Sequence, residues 1–513
     1  MKKLKLGVVP IKRTFLPMEA AKAQKDEFMP VIRSIKSDYV EIIDVDELTE
    51  NGIAFTYDVI APIVKKLKDN EIDALFLPFC DFGEESVAAG IASAFKVPTL
   101  VWGPRDTEPN SDVTRGRDTQ CGIIAATKVL SRCGVKFSYI VNCPTQSEQF
   151  KNGFETFLRA SMIVKTMRTL RVAQIGNRPE PFMSVMANEA ELLERFGINV
   201  IPVSIPTIVK YTDEILAENG EQLQKDYADY TARVDCSEME NFALGKMIGL
   251  KSGEEAVRRA IAMKLAMKRA ILEKDCTCAS MDCWPSAVVL KGLPCVALGE
   301  LIDEGIPVSC EGDVNGAITL AIMNACAMGD SSQFFADLTI RHPENDNAEL
   351  LWHCGPFPYS MKDPASKAKM KDMYGRWELK KGDITLCRFD GVNGEYYLFA
   401  GDGHATDGPE TTGTYVWFET ENWPAWEEKL VFGPYIHHVG GMYGKYVPAM
   451  REAARYLGVK FDNPACGGPK SPDDGRWRGN GQCVLSRRHA AWHEQCLGVR
   501  LPCKAPRYGR CQL

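Results

Sequence analysis

Three short segments carry the side chains best suited to chemistry: Glu311, Asp337 and the pair His437-His438. Glu311 follows the apolar run Ile306-Pro-Val-Ser-Cys310 and opens onto Gly312-Asp-Val-Asn-Gly316. That pattern reads as a buried strand turning into a glycine-lined helix start. Asp337 closes a second apolar run, Gln333-Phe-Phe-Ala336, and the histidines sit between glycines in Phe432-Gly-Pro-Tyr-Ile-His-His-Val-Gly-Gly441. Carboxylates and imidazoles at the ends of apolar runs are costly to bury unless a cation accompanies them. A divalent metal held by oxygen and nitrogen would satisfy all three. By spacing alone, three unrelated charged groups at strand ends remain an equal reading.

The elements that would position these groups fall into three patterns. Over residues 1–165, β-rich runs at 4–9, 39–43, 74–77, 99–102 and 137–141 alternate with helical stretches such as 59–68 and 84–94. Alternation of this kind means a parallel sheet with helices on both faces, and ligands then meet the loops after the strands. Those loops are polar: Lys12-Arg13, Cys80-Asp81-Phe82 and Gly103-Pro-Arg-Asp106. A second unit, 166–345, begins at Arg171-Val-Ala-Gln-Ile-Gly176 and runs through a long amphipathic helix at 254–273 to the metal carboxylates. Its Gly176 turn lacks the spaced glycines of a dinucleotide loop. From about Trp352 short strands and turns recur, predicting a small antiparallel β domain over 346–463. The predicted fold class is therefore α/β, two doubly wound parallel-sheet domains followed by a small antiparallel β domain.

Cys310-Glu-Gly-Asp-Val-Asn-Gly316, Phe334-Phe-Ala-Asp-Leu338 and Pro434-Tyr-Ile-His-His438 resemble the metal-site segments of the L-fucose/L-arabinose isomerase family. Arg117-Asp-Thr-Gln-Cys-Gly122 and Gln174-Ile-Gly-Asn-Arg-Pro179 extend the resemblance upstream, and the matches are collinear over residues 1–463. The resemblance implies a metal-dependent aldose–ketose isomerase working through a metal-bound enediolate. Glu311 and Asp337 would then ligate the metal and flank the open-chain sugar as catalytic residues, with His438 as a further ligand. His353, in Leu350-Leu-Trp-His-Cys-Gly355, is a candidate fourth ligand, although a histidine beside tryptophan is as often simply packed. Oxygen-rich ligation with one or two imidazoles points to Mn²⁺, with Mg²⁺ or Co²⁺ as substitutes. Arg13, Arg117, His404 and Trp284 are candidate substrate contacts. In that family a neighbouring subunit's first domain helps close the pocket, which implies a homo-oligomer, a trimer or hexamer.

Proton transfer between C1 and C2 of a hydroxyaldehyde needs a positioned base and a cation on the developing oxyanion, and two carboxylates with a metal supply both. The sugar itself is open between L-fucose, D-arabinose and a 6-substituted hexose such as sulfoquinovose, whose sulfonate would need Arg, Lys or His contacts. A non-catalytic sugar-binding or sensor protein with two α/β lobes is the alternative from another class.

Composition excludes several other classes. Hydrophobic residues at 45% and charged residues at 25% are ordinary globular values, and 513 residues suit about three domains. No apolar run reaches the roughly 18 residues of a membrane span. The start, Met-Lys-Lys-Leu-Lys-Leu-Gly-Val-Val-Pro10, reads as a first buried strand rather than a signal, so a cytoplasmic protein with reduced thiols is expected. Residues 464–513 stand apart: nine Lys and Arg against three Asp and Glu, five cysteines, and no helix or strand period. A nucleic-acid arm would read this way, but an atypical extension outside the fold is the preferred reading. No nucleic-acid or membrane partner is expected.

Overall fold

A computed structural model describes residues 2–106, 117–241 and 247–464, so the 464–513 extension lies, but for Pro464, outside the described residues. Five strands open the chain: β1 (Leu4–Val8), β2 (Val40–Ile43), β3 (Ala74–Pro78), β4 (Thr99–Trp102) and β5 (Phe137–Tyr139). They form a wholly parallel sheet in the order β2-β1-β3-β4-β5. Every residue of β3 and β4 is buried, as expected of strands covered by helices on both faces. The order reverses direction between β1 and β3, where a ligand crevice forms in such sheets. Arg13 and Asp81 lie in the two loops that meet there.

A second parallel sheet holds β6 (Arg171–Ile175), β7 (Asn199–Val203), β8 (Cys278–Met281) and β9 (Val308–Ser309), in the order β7-β6-β8-β9. Glu311 comes two residues after β9. The chain then enters a nearly fully buried helix, Val314–Ala327, whose Asp313 cap accepts from Gly316 N at 2.8 Å through Oδ1. Gly316 is required there, because a Cβ would stand 2.6 Å from the Phe335 ring and 2.8 Å from Asp313 Oδ2.

The remaining strands are β10 (Gln333–Arg341), β11 (Ala348–His353), β12 (Lys369–Lys371), β13 (Tyr374–Glu378), β14 (Asp383–Val392), β15 (Glu395–Thr406), β16 (Thr414–Glu419), β17 (His438–Tyr443) and β18 (Lys460–Asp462). Their sheet runs β12-β13-β16-β11-β10-β17-β14-β15-β18, with β15 also paired to β16. That extra pairing closes β16, β11, β10, β17, β14 and β15 into an antiparallel barrel, which removes the exposed edges an open sheet would present.

Two points differ from the sequence reading. The β-rich part is a nine-stranded sheet rather than a small one. Asp337 belongs to that sheet and not to the second parallel one, because its strand pairs with β11 and β17 on either side. Residues 1–465 form one compact unit that contains all three sheets.

Candidate metal centre

The site is built where the second parallel sheet ends against the barrel. Glu311 has φ +58° and Gly312 φ +65°. Two successive left-handed residues turn the chain back sharply, and a non-glycine residue there is strained. Gly312 packs so closely on the next loop that a Cβ would meet Arg178 Cα at 2.7 Å. The turn projects the Glu311 carboxylate toward the barrel. On the barrel side, Asp337 of β10 and His438 of β17 are direct cross-strand partners, so register alone brings them together.

His438 is fully buried. Its Nε2 lies 3.0 Å from Glu311 Oε2 and 3.5 Å from Asp337 Oδ1. Its Nδ1 lies 2.9 Å from Asp313 Oδ2. Asp313 is in turn gripped by Arg388, whose Nη1 donates to Oδ2 at 2.5 Å and Nη2 to Oδ1 at 3.2 Å. Arg388, wholly buried, also donates to Asp390, and Asn315 Nδ2 donates to the other Asp390 oxygen at 2.9 Å. Burial alone would raise the Asp313 pKa, but Arg388 and His438 outweigh it and hold the carboxyl well below its usual range. Burial likewise opposes charge on His438, whereas Asp313 and Glu311 lift its pKa above the ordinary imidazole value.

His437 completes the cluster on the solvent side. One donor atom each from Glu311, His437 and His438 lies within 4.8 Å of the others, and His437 Nε2 is 4.0 Å from Asp337 Oδ1. Burial and the neighbouring His438 push its pKa down, which favours the neutral ring that ligates metal. The donor set fits a hard or borderline divalent cation: two carboxylates, one or two imidazoles, and Asp337 Oδ1 buried without a hydrogen-bond partner.

The structure brings Glu311, Asp337, His438 and His353 into one neighbourhood. His353 Nε2 stands 4.0 Å from Asp337 Oδ1. Burial would lower its pKa, but Cys354 and Asp337 raise it to about 10. Trp284 lies at the rim: its ring is 6.1 Å from Phe182, which is 6.3 Å from His437. Trp417, Trp423 and Trp426 are buried core. A cavity of about 410 Å³ opens beside Gly312, lined by Asn177, Arg178, Met186 and Val314 among others.

His404 is not brought to the site, which corrects its reading as a substrate contact in the same pocket. It pairs with Glu419 on β16, five residues beyond Thr414, which faces His353. At about 3.3 Å per residue that is roughly 17 Å along the strand. Arg13 and Arg117 lie on the loops of the first sheet. Arg13 donates to Gly83 O at 3.2 Å and stands 3.7 Å from Glu84, and Arg117 donates to Asp106 Oδ1 at 3.1 Å and to Gln24. None of these partners is in the metal cluster.

Asp313, Arg388 and Asp390 are the members that sequence reasoning did not assign a role, and His437 was singled out only as half of the histidine pair. Asp313 had a signal, being the acidic cap of the helix that follows Glu311. Arg388 had none, because a lone arginine within a strand looks solvent-exposed until the barrel closes around it.

A parallel α/β pair joins a barrel, with a carboxylate–imidazole cluster where they meet, and the comparisons with known proteins point to sugar isomerases. Residues 7–168 match the model of the fucose/sulfoquinovose isomerase N-terminal domain. A sulfoquinovose isomerase of Priestia aryabhattai is 23% identical over 462 residues, covering 88% of this chain and 97% of its own. Those of Alkalicoccus urumqiensis and Clostridium sp. (strain MSTE9) are 23% and 25% identical, covering 66% and 69% of this chain and 73% of theirs. The likeness to the fucose/sulfoquinovose isomerases thus covers the first third of the chain by the domain model and most of it by the relatives. Among solved structures, an Actinobacillus succinogenes periplasmic solute binding protein of an ABC transporter with bound D-allose matches 63% of this chain and 91% of its own at 13% identity, with a TM-score of 0.16. No helix among the described residues is long and apolar enough to cross a membrane.

Proposed function

We propose that the protein interconverts an aldose and its ketose through an enediolate, with Glu311 and Asp337 as the proton-transferring pair. The observation that carries this reading is the approach of both carboxylates to His438 Nε2, at 3.0 and 3.5 Å, with Asp337 Oδ1 otherwise unpartnered. A divalent cation, Mn²⁺ by preference, would be held by Glu311, Asp337 and His438 and would supply positive charge to the sugar oxygens, lowering the cost of the anion. The residues do the rest. One carboxylate removes the C2 proton of the open-chain aldose, its C–H electron pair becomes the C1=C2 bond, and the proton returns at C1. The other carboxylate moves a proton between O1 and O2. Trp284, Phe182 and Met186 give the sugar an apolar wall near the histidines.

The names of the relatives favour a sulfonated hexose as substrate. Arg178, on the loop packed against Gly312, is the cation assigned here to an anionic C6 group, and its Nη1 now donates to carbonyls of its own loop. Exposed apolar side chains surround both the metal-side rim (Met183, Val288, Phe432) and the first-sheet loops (Phe15, Tyr57). That supports a cytoplasmic homo-oligomer, trimeric or hexameric, in which Arg13 and Arg117 of one subunit approach the site of another; analytical ultracentrifugation checks the assembly.

Purified protein is to be stripped with a chelator, reloaded with Mn²⁺ and offered a panel of aldoses, sulfoquinovose included. Ketose formation that requires the metal and washes C2 deuterium into solvent supports the proposal. Sugar binding without turnover would establish the sensor reading instead.

A further inference from the structure

His353 and His438 both face Asp337, yet opposite kinds of partner hold their other nitrogens. His438 Nδ1 meets the Asp313 carboxylate at 2.9 Å, an acceptor, so Nδ1 carries a proton, and Nε2, 3.0 Å from Glu311 Oε2, is the atom left to give a lone pair to a cation held with Glu311 and Asp337. His353 Nδ1 instead accepts from the backbone N–H of Cys354 at 2.9 Å, and a backbone N–H can only donate. The ring proton of His353 is therefore on Nε2. A second proton would have to take Nδ1, against the Cys354 N–H, and would leave Nε2 a donor all the same. The ring is fixed from behind by the Cys354 thiol, 3.3 Å from Nδ1, which touches Cys295 Sγ at 3.4 Å. Phe335 packs beside it at 6.0 Å between ring centres, and it also packs on His438 at 5.0 Å.

His353 Nε2 and Asp337 Oδ1 are both buried and both lack a hydrogen-bond partner among the described residues. They stand 4.0 Å apart, too far for a direct hydrogen bond. A donor and an acceptor so placed suit a single group that accepts from one and donates to the other. A hydroxyl does both, whereas a metal would need a lone pair from each.

We propose that His353 is a donor to a sugar oxygen shared with Asp337, not a fourth metal ligand. The inference rests on the isomerase reading for the identity of that oxygen, but its claim about the metal does not. During the reaction the His353 N–H would steady the oxygen on which negative charge develops while Asp337 accepts or returns the hydroxyl proton.

The test compares Mn²⁺ affinity, measured by electron paramagnetic resonance on the full chain, in His353→Gln, His353→Leu and His438→Gln. Both His353 variants should bind Mn²⁺ within about threefold of the unsubstituted protein. His438→Gln should lose more than the roughly 10–100-fold typical of outer partners. Turnover of His353→Leu should fall about 10²–10³-fold, the usual cost of removing one oxyanion donor, and His353→Gln, which keeps an amide donor, should recover part of it. Mn²⁺ binding weakened in His353→Gln as far as in His438→Gln would overturn the proposal, as would unimpaired turnover in His353→Leu. If the unsubstituted protein isomerises no aldose, the functional reading fails, and the Mn²⁺ comparison still decides whether His353 is a ligand.

Discussion

The two parallel sheets end in polar loops of similar make-up that settle their charge differently. At the first, acids meet bases: Asp106 with Arg117, Glu84 with Arg13, and Asp46 with Lys25 at 2.5 Å. Asp81 keeps one oxygen unpartnered, but the backbone N–H of Arg13 donates to the other at 2.7 Å and Lys12 lies nearby. At the second, Arg388 is committed to Asp313 and Asp390, and Glu311 and Asp337 are left with imidazoles alone. An edge that neutralises itself is architecture with an option on substrate contact. An edge with surplus negative charge asks for a cation.

The largest effect should come from removing that surplus. Glu311→Gln and Asp337→Asn keep shape but lose charge, and each should cut turnover by about 10²–10⁴, the worth of a general base, with weaker metal binding added. Near-normal C2 deuterium exchange in either variant would reject their roles, and an equal loss of Mn²⁺ in Asp81→Asn would erase the contrast between the edges. Asp313→Asn comes next. The amide still caps its helix, but it presents a donor to either Arg388 or His438, so Mn²⁺ affinity read by calorimetry should drop about 10–100-fold. Arg13→Gln tests the first edge: Mn²⁺ affinity should stay unchanged, and any effect should fall on KM for an anionic aldose.

Glu349 shows a third way to settle a buried charge, by keeping the proton. Burial pushes its carboxyl up to about 7, with Arg341 opposing and Glu427 assisting. A raised carboxyl pKa means the fold prefers the neutral form. Full stability is therefore present below the ordinary value of 4.5 and is lost as pH rises toward about 7. Glu349→Gln should stabilise the fold at pH 8, by at most about 1–2 kcal/mol after allowing for screening, and should leave its stability unchanged at pH 4. A stabilisation that persists at pH 4 would assign the effect to packing instead. Deleting residues 465–513 should have the smallest effect, leaving turnover and assembly as they were.

Much of this was legible in the chain. Strand 99–102 is found at those residues and strand 74–77 within one residue of them, because apolar runs bounded by turns leave little freedom. Glu311 and Asp337 stood out because each ends an apolar run with a group that water would ordinarily keep, and His438 as half of a histidine pair set between glycines. Local sequence could not give the barrel, whose closure depends on β15 pairing with β16, nor the burial of Arg388 that follows from it. It could not place His404, a candidate substrate contact that lies near the end of β15. Most of all, it could not tell His353 from His438. Both are histidines at strand ends beside Asp337, and only the tertiary structure sets a backbone N–H behind one ring and a carboxylate behind the other, which decides which nitrogen keeps the proton.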